Sequence, residues 1–285
     1  MRLRNPLFAP ADSERKMAKA RASAADAVIY DLEDAVSPPQ KPAAREAARQ
    51  ALLAHGGERI IVRINSADTE WYLPDLVSIV PARPEAIYLP KCTGPADLRR
   101  LVHHLEALES ANGVAQGATK VLLLMTETAA SLSDMNYAGI SERLIGLCFG
   151  AEDLSADFGI APRLADGAFA APLAAARAAV VIAAAQAGVP AIDTPFTDPG
   201  DDVGLKRESL DALHSGFTGK ACIHPSQLDL VAETFTPTAE RIAWAQALVD
   251  HFAAHPDAGV FLIGGKMYDR PHLKGAQRVL ASAGR

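Results

Sequence analysis

The sequence predicts a closed (β/α)8 barrel, the TIM-barrel class of α/β fold, followed by a C-terminal extension. Short apolar segments alternate with longer helical stretches, about eight such units occur, and 285 residues suit one barrel. The apolar segments are continuous, which is typical of parallel strands buried on both faces. No Gly-x-Gly-x-x-Gly motif follows the first strand, so an open doubly wound sheet is the less favoured alternative.

The predicted barrel occupies residues 1–236 and forms the catalytic domain. Its predicted strands span residues 7–9, 27–32, 60–65, 86–90, 120–125, 144–149, 191–193 and 217–223. Its predicted helices span residues 13–23, 42–55, 73–80, 96–111, 131–137, 168–187, 205–214 and 225–235.

Residues 237–285 depart from this rhythm and form a predicted helix–hairpin extension, which we interpret as a lid or an oligomer contact. A helix is predicted over residues 238–254. Two short strands, 259–263 and 266–269, flank Gly264-Gly265, which is a two-residue hairpin signal. A further short helix is predicted over residues 272–283.

Composition excludes several classes of function. The net charge of -6 and the lack of a basic stripe give no electrostatic reason to bind nucleic acid. Cys92, Cys148 and Cys222 lack zinc or disulfide spacing, which fits a reducing compartment. The N-terminus lacks the apolar stretch of a signal peptide, and the alanine-rich run at 168–187 is too interrupted for a membrane span. We therefore expect a cytoplasmic protein without membrane partners.

Polar residues follow five successive predicted strands at their carboxyl ends. In a barrel these ends meet on the one face where the chemistry of this fold takes place. Any single charge is equally well explained as a solvated loop residue, but five in succession indicate an active site. The segments are Asp31-Leu32-Glu33-Asp34, Arg63-Ile64-Asn65, Pro90-Lys91, Thr126-Glu127-Thr128 and Gly150-Ala151-Glu152-Asp153.

Glu127 and Asp153 follow adjacent strands, so their carboxylates can share one cation. Oxygen ligands that leave room for water and substrate suit Mg²⁺, and the lack of a neighbouring histidine argues against zinc. The alternative is that one carboxylate pairs with Arg63 or Lys91, and the sequence leaves both hypotheses open.

The segment Gly150-Ala151-Glu152 is predicted to bind substrate, because small residues let an anion approach the backbone N–H groups. His224, after the last strand, is interpreted as a hydrogen-bonded structural residue that lies near a ligand. Cys148 is interpreted as core and not as a nucleophile, because it lies within an apolar strand.

Taken in order, these segments resemble the citrate lyase β-subunit-like group of the HpcH/HpaI aldolase superfamily, which includes malyl-CoA and citramalyl-CoA lyases. The resemblance covers residues 4–270. Its most specific blocks are residues 25–36, 62–65, 89–91, 127–129, 149–154, 219–227 and 265–271.

The resemblance implies a Mg²⁺-dependent lyase that makes or cleaves a carbon–carbon bond between a CoA thioester and a small 2-oxo acid. It implies Glu127 and Asp153 as the Mg²⁺ ligands. It further implies Arg63 as a catalytic and substrate-binding residue and Asp269 as the catalytic acid/base. The residues implied to lie around the metal-bound water and substrate are Glu33 and Asp34.

In relatives, the residue equivalent to Asp269 comes from a neighbouring subunit, so the resemblance implies a homo-oligomer such as a trimer or hexamer. Two segments depart from the family pattern. Pro10-Ala11-Asp12 replaces the common Pro-Gly-Asp, and Ala130-Ser131 follows Glu127-Thr128-Ala129 where a glycine or arginine is common. Both departures bear on substrate specificity and not on the metal site.

The resemblance allows malyl-CoA, citramalyl-CoA and citryl-CoA as substrates, and the sequence does not choose among them. Alternatives are a malyl-CoA-type thioesterase, a CoA-independent class II aldolase, and a citrate lyase β subunit that acts only within a complex. The segment around Asp269 disfavours the aldolase.

Overall fold

Eight short parallel strands form one sheet in chain order in the computed structural model, which describes residues 1–255, 259–263 and 265–284. A bridge joins Leu7 to Cys222, and the N–H of Phe8 donates to the carbonyl of Cys222 at 2.9 Å. The chain directly after the last strand therefore pairs with the first strand, and the predicted TIM-barrel class is confirmed. The strands are β1 (Leu7–Pro10), β2 (Val28–Asp31), β3 (Ile60–Arg63), β4 (Ala86–Leu89), β5 (Lys120–Leu124), β6 (Leu144–Cys148), β7 (Ala191–Asp193) and β8 (Gly219–Lys220).

Helices follow most strands and have local sequence signals at their ends. Ser13 and Asp201 start the helices Glu14–Arg21 and Asp202–Ser215, because their side chains accept backbone N–H groups of the first turn. Gly188 and Gly216 end the helices Ala171–Ala187 and Asp202–Ser215 in the left-handed conformation that glycine adopts without strain. The helices are α1 (Glu14–Arg21), α2 (Lys41–His55), α3 (Tyr72–Ile79), α4 (Pro95–Ala111), α5 (Ala151–Phe158), α6 (Ala171–Ala187), α7 (Asp202–Ser215) and α8 (Leu228–Phe235).

The core of the barrel is apolar and made mostly of strand residues. Burying these side chains removes about 25 cal/mol of unfavourable hydration per Å² of apolar surface. Phe8 is half-buried and packs against this cluster. The buried members are Leu3, Ala27, Ile29, Ile61, Ala86, Tyr88, Leu122, Leu124, Cys148 and Ile192.

The connections after β5 and β6 differ from the prediction. In place of the helix predicted over residues 131–137, only a short 3-10 turn, Ala129–Leu132, forms. Asp134 accepts the N–H of Asn136 at 3.2 Å, and this local turn competes with a helix. The sequence pattern does not predict α5, because its acidic first turn is equally compatible with a binding loop.

The chain divides into two compact units, Leu3–Ala232 and a second unit that begins at Glu233. The second unit contains α9 (Ala239–Ala254), the antiparallel strands β9 (Val260–Ile263) and β10 (Lys266–Asp269), and α10 (Arg270–Ser282). This is the predicted helix–hairpin extension, although Gly264 of the predicted turn lies outside the described residues. The boundary between residues 236 and 237 stays a prediction.

No helix among the described residues has both the length and the apolar character needed to cross a bilayer. The alanine-rich run forms α6, which packs Leu173, Ala176 and Val180 into the protein. Its Arg177 is also buried and donates to Asp193 at 2.9 Å. This run is therefore a packed barrel helix, as predicted.

Candidate active site

Arg63 is held at the carboxyl end of β3 by Asp31, its neighbour in register on β2. Its Nε donates to Asp31 Oδ1 at 2.8 Å and its Nη2 donates to Oδ2 at 2.7 Å. Burial by itself raises the pKa of Asp31, but the charge and hydrogen bonds of Arg63 outweigh it, so the pKa lies below its usual value. This bidentate pair fixes the plane of the guanidinium and leaves Nη1 facing other groups.

Glu33 lies between two cations. Its Oε2 is 3.0 Å from Arg63 Nη1, and Lys91 Nζ donates to its Oε1 at 2.9 Å. Burial raises the pKa of Glu33 even against these two positive charges, and the charge of Asp34 adds to the increase. Glu33 therefore belongs to an acidic group that two cations do not fully neutralise.

Lys91 adopts a left-handed backbone conformation, with φ of 50°, which is uncommon for a residue with a side chain. In this conformation its backbone N–H donates to Glu127 Oε2. Strain of this kind is often found at functional sites, where the surrounding contacts hold the backbone in place. Lys91 thus contacts Glu33 with its ammonium group and Glu127 with its backbone.

Glu127 follows β5, is only 2% exposed, and has no hydrogen-bond partner for Oε1. Burial raises its pKa to about 8, and the charge of Glu33 contributes to the increase. Gly150 makes room for this side chain, because a Cβ at that position would lie 2.9 Å from Glu127 Cγ. A buried acceptor without a partner costs about 1–3 kcal/mol, so this oxygen is poised for a ligand.

Carboxylate oxygens of Glu33, Asp34 and Glu127 lie within 4.8 Å of one another. Among the described residues, these three form the cluster of possible metal-ligand side chains that lie this close together. Carboxylate oxygens suit Mg²⁺, and two of these groups have raised pKa values that a cation would offset. The residues present therefore fit a magnesium ion.

Asp153, the predicted partner of Glu127, lies at the edge of this group. Its Oδ1 is 3.9 Å from Lys91 Nζ, and its side chain is 42% exposed. The predicted pair of Glu127 and Asp153 stays a prediction, to which the geometry adds Glu33 and Asp34. The alternative, in which one of these two carboxylates pairs with Lys91 or Arg63, describes the contact of Asp153 with Lys91, although Glu33 contacts both cations more closely.

A cavity of about 400 Å³ opens beside this group at the carboxyl end of the barrel. Its floor is the top of the apolar core, where Phe8 lies 5.0 Å below the guanidinium of Arg63. Its rim is acidic and includes Asp34, Glu152 and Asp153. The floor residues are Phe8, Tyr88, Leu124 and Cys148.

The predicted substrate-binding segment lies on the wall of this cavity. The N–H of Gly150 donates to Thr126 Oγ1 at 3.0 Å, and the N–H of Ala151 donates to Thr194 Oγ1 at 3.3 Å. The carboxylate of Glu152 is 2.9 Å from Arg163 Nη1. The first two N–H groups of this segment are therefore already hydrogen-bonded within the protein. Its binding of an anionic substrate stays a prediction.

The sequence patterns assign no role to two residues of the site, Asp31 and Lys220. Asp31 ends β2 and is the register partner of Arg63, so its position at the end of the neighbouring strand is the signal that indicates it. Lys220 is fully buried and donates to Asp193, Thr194 O and Glu208 at 2.8, 2.7 and 2.6 Å. A lysine in an otherwise apolar strand signals such a network, in which Asp193 lines the cavity.

His224 is a structural residue, as interpreted from the sequence, and it starts a helical turn. Its side chain accepts the backbone N–H of Ser226 at 3.2 Å. The neighbouring Gln227 accepts the N–H of His224 at 3.2 Å. This reciprocal arrangement fixes the chain directly after β8.

Asp269 lies in the second unit, where it ends β10 and starts α10. His272 Nδ1 is 2.5 Å from Asp269 Oδ1, and the N–H of Asp269 donates to the same nitrogen at 3.2 Å. The role of Asp269 as catalytic acid/base stays a prediction.

A parallel barrel with a cavity and an incompletely neutralised acidic group at the carboxyl ends of its strands defines a TIM-barrel enzyme. The family model described as HpcH/HpaI aldolase/citrate lyase matches residues 4–225. The chain therefore belongs to this family, which confirms the resemblance drawn from the sequence and makes the chain a carbon–carbon lyase by family.

Similar proteins cover almost the whole chain. A citrate lyase subunit beta-like protein of Mycobacterium tuberculosis is 36% identical over 279 residues, which is 98% of this chain and 94% of that protein. A (3S)-malyl-CoA thioesterase of Cereibacter sphaeroides is 33% identical over 284 residues, with coverage of 98% and 94%. The solved structure of CitE from Mycobacterium tuberculosis, in complex with magnesium, acetoacetate and coenzyme A, has a TM-score of 0.78 and 34% identity, with coverage of 99% and 98%.

Proposed function

We propose that this chain is a Mg²⁺-dependent acyl-CoA lyase that makes or cleaves the bond between a CoA thioester of the acetyl-CoA type and a 2-oxo acid. The observation that carries the proposal is the buried carboxylate of Glu127 next to Glu33 and Asp34. One of its oxygens accepts a hydrogen bond and the other has no partner. The solved CitE complex supports it, since that protein holds magnesium, a small oxo acid and coenzyme A.

In the proposal, Glu127 and Asp153 hold the magnesium ion, and Glu33 and Asp34 lie around its water ligands. When bound, the ion supplies Lewis-acid polarisation of the carbonyl group of the oxo acid. The chain contributes a rigid oxygen cage at the mouth of the cavity, because Glu127 is bonded on one side by the backbone of Lys91.

Arg63 is assigned to the oxygen that becomes negatively charged when the thioester forms its enolate. A preorganised cation at this position lowers the barrier, because no reorientation is needed as the charge develops. Asp31 provides the preorganisation, since two hydrogen bonds hold the guanidinium in one plane. The Nη1 nitrogen, which Asp31 does not use, lies 3.0 Å from Glu33 Oε2, and we assign it to the enolate oxygen.

Asp269 is assigned to proton transfer. In the synthetic direction its carboxylate removes a proton from the α-carbon of the thioester, and in the cleavage direction it returns that proton. General acid–base help of this kind is worth about 10²–10⁴-fold in rate.

We infer that Asp269 acts on the barrel of another subunit in a homo-oligomer, such as a trimer or hexamer. The support is the exposed face of the hairpin, where the strand register pairs Leu262 with Met267 and Val260 with Asp269. Val260, Leu262 and Met267 are all more than half exposed, and contiguous exposed apolar residues mark association surfaces.

Mixing two inactive variants tests this assignment. Asp269→Asn and Glu127→Gln should each be nearly inactive alone. In a randomly mixed assembly, about one quarter of the sites combine an intact barrel with an intact Asp269, so activity should return. If each subunit uses its own Asp269, no such site forms and the mixture stays inactive.

The main experiment incubates the purified chain, with and without Mg²⁺, with malyl-CoA, citramalyl-CoA and citryl-CoA. A lyase releases the 2-oxo acid and a shorter acyl-CoA, and its rate should depend on Mg²⁺. If none of the three esters releases an oxo acid, the proposed function is refuted.

A malyl-CoA-type thioesterase is the second candidate, and the thioesterase relative of Cereibacter sphaeroides favours it. The same acidic group can position water for attack on a thioester. Product analysis separates the two candidates, because a thioesterase releases the hydroxy acid and free CoA.

A citrate lyase β subunit that works only inside a complex is the third possibility. Its test is the activity of the isolated chain on free CoA esters, which a complex-dependent subunit lacks. The expected location is the cytoplasm, in keeping with three cysteines that are all buried and free.

A further inference from the structure

We propose that the oxo acid used at this site carries a single carboxylate and only hydrogen or a small alkyl group on its carbonyl carbon. Glyoxylate and pyruvate belong to this class, and oxaloacetate, with its second carboxylate, does not. The inference rests on the proposed function and selects among the substrates that it leaves open. It is carried by the distribution of charge around the cavity.

The wall of the cavity is strongly acidic. Five carboxylates and one guanidinium are the charged groups among its lining residues. The guanidinium, Arg63, is bonded twice by Asp31 and lies 3.0 Å from Glu33. The lining carboxylates are Asp31, Asp34, Glu152, Asp153 and Asp193.

The cations just behind the wall are also paired. Lys91 donates to Glu33 at 2.9 Å. Arg163 and Lys220 both donate to Glu208, at 2.7 and 2.6 Å. Any new cation at the site, such as Mg²⁺, offsets the charge around its own ligands and the first carboxylate of the substrate. Among the described barrel residues around the cavity, a second carboxylate would meet only cations that are already paired, and it would face other carboxylates.

The floor of the cavity offers this second carboxylate no alternative. Burial raises the pKa of Cys148 to about 12 and that of Tyr88 above its usual value, so both stay neutral. Together with Phe8 and Leu124 they form a surface that suits a hydrogen or methyl substituent. Placing an unpaired charge against such a surface is strongly unfavourable.

The test compares the cleavage of three esters by the purified wild-type chain at one Mg²⁺ concentration. Malyl-CoA and citramalyl-CoA yield glyoxylate and pyruvate, whereas citryl-CoA yields oxaloacetate. The kcat/KM for the better of the first two should exceed that for citryl-CoA by about 10²-fold. Cleavage of citryl-CoA at a similar or higher rate would overturn this inference alone, while inactivity on all three would overturn the proposed function and the inference with it.

A charge-insertion variant tests the physical cause. Ile223 lines the cavity and is 42% exposed, so a longer polar side chain fits there without entering the core. Ile223→Arg should raise the kcat/KM for citryl-CoA relative to citramalyl-CoA about 10-fold or more, because it supplies the missing cation. The control Ile223→Gln adds length without charge and should keep the wild-type ratio; equal ratios in the two variants would refute the charge explanation.

Discussion

At the amino end of the barrel, Glu109 is fully buried and both of its oxygens are bonded. Arg143 donates to them at 2.8 and 2.7 Å, and the N–H groups of Gly117 and Thr119 donate at 2.9 Å each. At the carboxyl end, Glu127 is almost equally buried, but one of its oxygens has no partner. A buried glutamate is therefore fully hydrogen-bonded at the amino end of the barrel, whereas at the carboxyl end a buried glutamate keeps one oxygen without a hydrogen-bond partner.

The two pKa values move in opposite directions for this reason. Burial alone raises the pKa of either carboxyl, but Arg143 and two N–H groups lower that of Glu109 to about 2. Glu127 has one backbone donor and acidic neighbours, so its pKa is raised to about 8. Burial therefore does not mark the functional end of this barrel, whereas incomplete pairing of a buried carboxylate does.

The largest effect is expected from removing the cation at the amino end. Arg143→Met leaves Glu109 buried and charged, so the free energy of unfolding should fall by about 3–5 kcal/mol. Because the substitution lies away from the cavity, kcat/KM at a temperature where the variant is folded should match wild type. Chemical denaturation and a steady-state assay check the two parts.

Arg100→Met is the matched control for this prediction. Arg100 forms an exposed pair with Asp97 within α4, and such pairs contribute little. Its free energy of unfolding should change by less than about 0.5 kcal/mol. Equal losses in the two variants would show that the amino-end pair has no special role in stability.

The second-largest effect is expected at Glu127, where a substitution should reduce turnover and not stability, the reverse of Arg143→Met. Glu127→Gln should reduce turnover at least about 10²-fold, because the proposed metal ligand is lost. The metal-free variant should be as stable as wild type or more stable, since an incompletely paired carboxylate is removed. Turnover is measured across a Mg²⁺ titration and stability by denaturation without metal.

Glu46→Gln, at an exposed position on α2, controls for the loss of one negative charge. It should leave both turnover and the Mg²⁺ titration unchanged. A strongly destabilised Glu127→Gln with an unaltered Mg²⁺ titration would mean that Glu127 is a structural residue like Glu109.

The stability of the metal-free chain should depend on pH with opposite slopes for the two ends. Glu109 has a lowered pKa, so its contribution is present above its usual pKa near 4.5 and is lost as the pH falls towards about 2. Glu127 has a raised pKa, so the folded state binds the extra proton, and stability falls as the pH rises from about 4.5 to about 8.

Two variants separate these slopes in unfolding measurements across the pH range. In a plot of the free energy of unfolding against pH, Glu109→Gln should reduce the slope of the acidic limb, below about pH 4.5, only. Glu127→Gln should reduce the slope of the upper limb, above about pH 4.5, only. Saturating Mg²⁺ should also flatten the upper limb, because it favours the ionised form of Glu127. If Mg²⁺ left that limb unchanged, the ion would bind somewhere other than at Glu127.

The sequence predicts the functional end of the barrel better than the stabilising end. Arg63 and Glu127 follow predicted strands, so convergence of strand ends is enough to bring them together. The pair of Glu109 and Arg143 joins residues 34 positions apart, on a helix end and a loop, and no periodic pattern indicates such contacts. The left-handed backbone of Lys91 likewise depends on tertiary contacts that local propensity does not encode.

The smallest predicted effect tests how closely Glu127 is fitted. A Cβ at position 150 would lie 2.9 Å from Glu127 Cγ and 3.2 Å from the carbonyl oxygen of Thr126, so Gly150→Ala must displace the glutamate. Because the carboxylate is retained but moved, Mg²⁺ affinity should fall by about 10-fold, less than for removal of a ligand. Gly275→Ala is the matched control, since nothing lies within 4 Å of its added Cβ. Isothermal titration of Mg²⁺ into both variants measures the difference, and equal affinities would show that the position of Glu127 tolerates movement and does not define the metal site.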